Sequence, residues 1–229
     1  MYTPEELELG KANDAAWQDR PYHQELKTLE ISEGLVLPNE SGTGIKFDPD
    51  APVFGWRDLT ADIQVRGTGA NDPAFNVYTG TTLRAYQFSA TTMNEVFMVF
   101  HVPHDWLPGS SIFFHAHWSN AAATPNTGNV KWSFDYSFAK GFGQEAFPAI
   151  QTATVTAAGP AVRYRHNVSE TTAVSIPLME VDGLILVRAY RDAAHASDTC
   201  TDAVFLHTVD IHYQSTNVAT KNKAPNFYS

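Results

Sequence analysis

The chain has 229 residues, 43% hydrophobic and 12% aromatic, which is enough to bury a sizeable core and argues against a disordered chain. Only 17% are charged, and the formal net charge of -10 repels phosphate backbones and anionic bilayers, so no nucleic acid and no membrane is expected as a partner. Cys200 is the one cysteine, so no disulfide forms within the chain, and no stretch approaches the roughly 18 consecutive apolar residues of a membrane span.

The opening MYTPEELELGK has neither a basic start nor an apolar core, so no secretory signal is expected there. Helix signals cover residues 2 to 19. Thr3 can cap, Pro4 suits the first turn, and Glu5 and Glu6 complement the dipole. Leu7, Leu9 and Trp17 are its few large apolar groups, too few for a helix buried in its own domain. They are read either as packing on the domain flank or as contacts to a partner. Within residues 20 to 80 a strand signal is read at Leu26 to Leu37, interrupted by Gly34. Pro38, Gly42, Gly44, Pro49 and Pro52 then break the sequence repeatedly. The segment 20 to 80 is read as extended chain on a surface, anchored by Phe54, Trp56 and Leu59.

Strand signals become regular from Leu83. Leu83 to Ser89 alternates. Glu95 to Val102 ends at Pro103, which cannot donate to a ladder. Ser111 to Trp118 follows the turn Pro108-Gly109-Ser110. In Asn129 to Ala139, Val130, Trp132, Phe134, Tyr136 and Phe138 alternate with polar residues, which places five large apolar groups on one face. Further strands are read at Ala149 to Ala157, at Val174 to Leu178 (an edge, because of Pro177), at Leu184 to Tyr190 and at Ala203 to Gln214. Arg191 to Asp202 reads as a polar loop. About eight strands with no helical period among them predict an all-β fold: an antiparallel jelly-roll-like β-sandwich carrying an N-terminal helix and extended arm. The expected layout is an attachment arm over 1–53, a connector over 54–80, the sandwich over 81–216 and a tail over 217–229.

Chemistry-bearing residues are few. His115 and His117 share one face of a strand, and such a pair begins the metal site of cupin-type sandwiches. No carboxylate follows within Trp118 to Gly128, and Ile112, Phe114, Ala116 and Trp118 form the better core face. The histidines are therefore expected to face outward, or to pack under a loop or at a subunit contact, with no metal. Were an ion bound, the third ligand would come from His101, His207 or Asp135. His104-Asp105 reads as turn chemistry, with Asp105 accepting backbone N–H groups. Cys200 lies between Asp198 and Asp202, which raise a thiol's pKa and disfavour a nucleophile. Trp106 and Trp118 are candidates for stacking a sugar ring.

Tyr86-Gln87-Phe88, Pro103-His104-Asp105-Trp106, Gly109 to Ile112, His115-Ala116-His117-Trp118 and Gly128-Asn129-Val130-Lys131-Trp132 through Tyr136 occur here in that order, preceded by Trp56-Arg57-Asp58-Leu59. This series resembles virion-associated proteins of tailed bacteriophages over roughly residues 54 to 140. The resemblance is one of strands and turns, so it carries no catalytic residues. It implies a non-enzymatic β-sandwich of the virion, assembled in the host cytoplasm. The role expected first is a capsid cement or decoration protein that joins major capsid protein subunits, as a homo-oligomer, most simply a trimer. A neck or fibre component, a carbohydrate-binding module for host adsorption and a cupin-like metal enzyme are the alternatives. Under the cement reading, Leu7, Leu9, Trp17, Phe54, Trp56 and Leu59 are the partner contacts. No cofactor is expected.

Overall fold

The computed structural model describes residues 54–67, 69–80, 82–141 and 146–216, and two short strands nearer the N-terminus. The expected helix over 2–19, with Leu7, Leu9 and Trp17, and the expected tail from residue 217 lie outside the described residues. The chain divides into two compact units, residues 1–53 with 226–229 and residues 54–225. In the first, β1 (Leu35–Val36) and β2 (Lys46–Phe47) pair antiparallel, Leu35 opposite Phe47.

The second unit is all-β among the described residues. Its strands are β3 (Gly55–Thr60), β4 (Ala74–Thr79), β5 (Leu83–Phe88), β6 (Asn94–His101), β7 (Phe113–Asn120), β8 (Asn129–Ala139), β9 (Gln151–Ala158), β10 (Asn167–Glu170), β11 (Leu184–Arg191) and β12 (Val204–Ser215). Six form one sheet in the order β10-β7-β12-β5-β4, with β3 also beside β12. Four form the other in the order β6-β11-β8-β9. All the pairings are antiparallel. From β5 to β12 the chain crosses between the sheets at nearly every connection, which gives the jelly-roll-like sandwich its layering.

The period-two pattern of β8 does what it predicts: Val130, Trp132, Phe134, Tyr136 and Phe138 all point into the core. Phe114 of β7 stacks on Phe134 across the sheets, and Phe88 of β5 meets Trp132 edge to face. The turn before β7 needs Gly109, whose φ of 81° L-residues rarely adopt. Gly183, which leads into β11, has no room for a side chain: a Cβ there would lie 2.3 Å from the Phe138 ring.

β12 is the longest strand and the axis of the six-stranded sheet. β7 pairs with it on one side, while on the other β5 pairs with Val204–Leu206 and β3 with Asp210–Ser215. A register shift between Leu206 and Thr208 marks a bulge. The inward residues are Val204 and Leu206 before it, and Val209, Ile211 and Tyr213 after it. The bulge therefore reverses the parity of the strand, so Asp210 and His212 point outward.

Seven of the expected strands agree with β5, β6, β7, β8, β9, β11 and β12 to within about two residues at each end. Two readings are corrected. Residues 54–80 are not a connector, because β3 and β4 within them are strands of the six-stranded sheet, whose unit begins at Phe54. Val174 to Leu178 is not a strand: only Val174 bridges to Ile112, and at Leu178 the backbone turns through a φ of 60° just after Pro177. The polar loop expected after β11 is present, and it is tied down. The buried guanidinium of Arg191 donates to both Asp198 carboxylate oxygens at 2.8 Å and to the carbonyls of Cys200 and Asp202.

Candidate functional site

The outer face of the six-stranded sheet gathers five of the nine histidines: His115, His117, His166, His207 and His212. Ladder geometry puts them there. His115 and His117 are two residues apart on β7, so they share the face opposite Phe114, Ala116 and Trp118. Asp210 of β12 lies directly opposite His115, Glu170 of β10 flanks His115 on the other side, and Asp58 of β3 is opposite His212.

Two groups separate within this cluster. In the first, His212 is held by two carboxylates, with Nε2 2.7 Å from Asp58 and Nδ1 2.5 Å from Glu170. Burial opposes the charged form of His212, but Asp58 and Glu170 outweigh it and push the imidazole up to about 9. His212 is therefore a cation at neutral pH, with both nitrogens engaged. His212 in turn holds the Asp58 carboxyl below its ordinary value.

In the second group, Asp210 lies 3.4 Å from Nε2 of His115 and 3.3 Å from Nε2 of His117. Both separations exceed the usual range for an N–H···O hydrogen bond. Burial alone would raise the Asp210 carboxyl, but the nearness of His115 and His117 and a 2.8 Å bond from the Thr208 hydroxyl hold it well below the carboxylate range. Burial pushes the His115 imidazole down, Asp210 only partly offsets this, and the cation on His212, whose ring centre is 4.0 Å away, works in the same direction as burial. At neutral pH the pair is thus neutral imidazole and carboxylate. His115 is only 1% exposed, yet its Nδ1 is buried without a hydrogen-bond partner, as is Nε2 of His117. The other nitrogen of His117 shares a 2.7 Å hydrogen bond with Nε2 of His166.

The remaining site readings fall elsewhere. His101 and His104 both approach the Asp182 carboxylate, at 3.2 and 3.0 Å, beside the four-stranded sheet. His207 sits at the bulge and bonds the Ser119 hydroxyl. Asp135 receives Arg188 at 2.9 Å. None of His101, His207 and Asp135 joins His115 and His117; the carboxylate that does is Asp210, which sequence reading passed over. Besides a backbone amide, Asp105 accepts side-chain groups, Ser215 at 2.6 Å, Tyr213 at 3.0 Å and Arg57 at 2.9 Å, which pins the turn to the end of β12. Trp106 and Trp118 are 3% and 0% exposed and offer no face to a sugar. Leu59 packs against the core and Trp56 lies edge to face with Phe113, so both are engaged within the sandwich; Phe54 is half-buried ahead of β3. Burial raises the Cys200 thiol, with Asp202 and Asp198 adding to it.

A cleft of about 480 Å³ opens at the β4–β5 end of the same sheet, lined by Tyr78, Gln87, Arg163, Tyr164, Asp202 and Phe205 among others. Arg163 stacks over Tyr164, whose φ of 63° is a strained conformation for a tyrosine.

No family model matches the chain, and no curated protein does. Among solved structures it is similar to a CBM35 from Cellvibrio japonicus Abf62, at 13% identity over 70% of this chain and 98% of that one, with a TM-score of 0.39. It is similar to a Xyl-CBM35 in complex with a glucuronic acid containing disaccharide, at 9% identity over 72% and 99%, with a TM-score of 0.33. It is also similar to an Eiger TNF from S. frugiperda, at 10% identity over 75% and 97%, with a TM-score of 0.27.

Proposed function

We propose that this protein is a non-enzymatic structural component of a tailed-phage virion, a cement or decoration protein whose sandwich is the body and whose first 53 residues supply attachment to the major capsid protein. The observation that supports it is the use made of the residues that carry the resemblance. Phe88, Trp118, Trp132 and Tyr136 fill the core, Asp105 ties a turn to β12, and Gly109 makes the turn into β7. The shared pattern thus describes a frame, as expected where geometry rather than chemistry is the task. A trimer fits a lattice with local threefold points, and repeated attachment multiplies a modest single contact.

Binding to particles stripped of this protein tests the reading. Deleting residues 1–50 leaves every strand of both sheets in place, since β3 begins at Gly55. The truncated protein is expected to keep its circular dichroism spectrum and lose particle binding. Equal binding of both forms would remove the arm from the mechanism, and absence of the protein from purified virions would end the reading.

A carbohydrate-binding reading is second, and it rests on the Tyr78–Tyr164 cleft instead of Trp106 and Trp118. Its check is calorimetric titration with host surface glycans. Saturable binding lost in Tyr164→Ala is the result it requires.

A further inference from the structure

We propose that His115, His117 and Asp210 form a binding site for a divalent transition-metal ion of the zinc type, which clips β7 to β12 on the outer face of the six-stranded sheet. The inference is independent of the virion reading. Two imidazoles and one carboxylate are a common set of protein ligands for zinc, with the fourth position left to solvent. Here their donor atoms all lie within 4.8 Å of one another.

The distances favour shared coordination over hydrogen bonding. A tetrahedral ion with bonds of about 2.0–2.1 Å holds its ligand atoms about 3.3–3.4 Å apart. The observed separations from Asp210 are 3.4 Å to His115 and 3.3 Å to His117. These are long for hydrogen bonds and correct for two edges of such a tetrahedron. The unpartnered Nε2 of His117 is the atom that faces Asp210. When His117 donates through Nδ1 to His166, that Nε2 carries a lone pair. A lone pair aimed at a carboxylate is repulsive unless a cation lies between them.

The choice of carboxylate follows from the pairing. Asp58 and Glu170 are both engaged by His212, and Asp210 is the carboxylate that faces His115 and His117. His212 itself is excluded as a ligand because both of its nitrogens are taken by Asp58 and Glu170. The second shell is also in place. His166 orients His117, and the Thr208 hydroxyl donates to the Asp210 oxygen that is not facing the imidazoles.

The test uses the full-length chain without an affinity tag, stripped with a chelator and titrated with Zn(II) by calorimetry. One equivalent per chain is expected, with a rise in the unfolding temperature. His117→Ala and Asp210→Asn are each expected to weaken binding at least tenfold, whereas His101→Ala and His207→Ala leave it unchanged. Thr208→Val and His166→Phe, which act through the ligands, are expected to lower affinity about tenfold. Co(II) in place of zinc should give the strong visible absorption of a four-coordinate site, absent in His117→Ala. His115 is so buried that His115→Ala can fail to fold, and the two other ligands carry the test in that case. No stoichiometric zinc, or zinc held equally well by His117→Ala and Asp210→Asn, overturns the proposal.

Discussion

On the outer face of the four-stranded sheet, Glu95 receives the guanidinium groups of both Arg66 and Arg188, and Arg188 also reaches Asp135 at 2.9 Å while stacking over Tyr190. On the outer face of the six-stranded sheet, Asp210 is equally sheltered but meets only imidazoles at 3.3–3.4 Å and one hydroxyl. Both faces hold buried carboxylates. The first pairs Glu95 with cations of its own chain; on the second, His212 serves Asp58 and Glu170, while buried nitrogens of His115 and His117 are left unpartnered beside Asp210. A carboxylate provided with its own guanidinium is finished as a structural element. The Asp210 carboxylate, with imidazole nitrogens at 3.3–3.4 Å, is completed by the ion proposed above. The contrast distinguishes charge that holds a fold from charge that waits for a ligand.

The sharpest way to break this contrast lies at its structural extreme. Arg191 is fully buried and bonds Asp198 twice. Arg191→Met leaves that carboxylate uncompensated and frees the carbonyls of Cys200 and Asp202. The expected loss is about 3–5 kcal/mol, read as a lower midpoint in urea. A loss under about 1 kcal/mol would mean that water replaces the guanidinium and that the loop after β11 is not held as described.

A matched pair of substitutions sharpens the comparison directly. Glu95→Gln removes one charge that two guanidiniums face, and should cost about 2 kcal/mol. Asp210→Asn removes one charge that no cation contacts, keeps the acceptor for Thr208, and in chelated protein should cost less than about 1 kcal/mol. With zinc present the order should reverse, because only the second variant then loses a ligand. Equal costs with and without zinc would erase the distinction between the two faces.

Much of the fold was legible from the sequence, and the reason is visible in β8. A strand with one face in the core and one outside writes its geometry as period two, and five apolar residues from Val130 to Phe138 did so. β3, β4 and β10 were missed because they are short and fully bury only Gly55 and Ser169, so burial leaves little trace in GWRDLT, AFNVYT and NVSE. The site was half legible. His115 and His117 announced themselves by spacing, and their outward direction followed from the apolar residues between and around them. Asp210 did not, because strict alternation from Val204 through Leu206 would carry it into the core. The bulge that turns it outward leaves no clear mark in AVFLHTVDIHYQ. The one available signal was that Asp210-x-His212 repeats the i, i+2 spacing of His115-x-His117 on a strand of its own.

The smallest effect on stability is expected on the four-stranded face, beyond its ion pairs. Val99 and Leu186 are directly paired across β6 and β11, yet 45% and 40% exposed, with Leu184 beside them. A cross-strand apolar pair contributes only a few tenths of a kcal/mol up to about 1 kcal/mol. Val99→Ser combined with Leu186→Ser should therefore shift unfolding by about 1 kcal/mol or less, and zinc binding on the opposite sheet should not change. If this stripe serves the proposed particle attachment, the same double variant lowers occupancy on stripped particles while circular dichroism stays constant. Stability and binding then separate, as they must for residues that pack against another molecule rather than their own core. Unaltered occupancy would instead leave these residues as ordinary exposed apolar surface and place attachment on the first 53 residues alone.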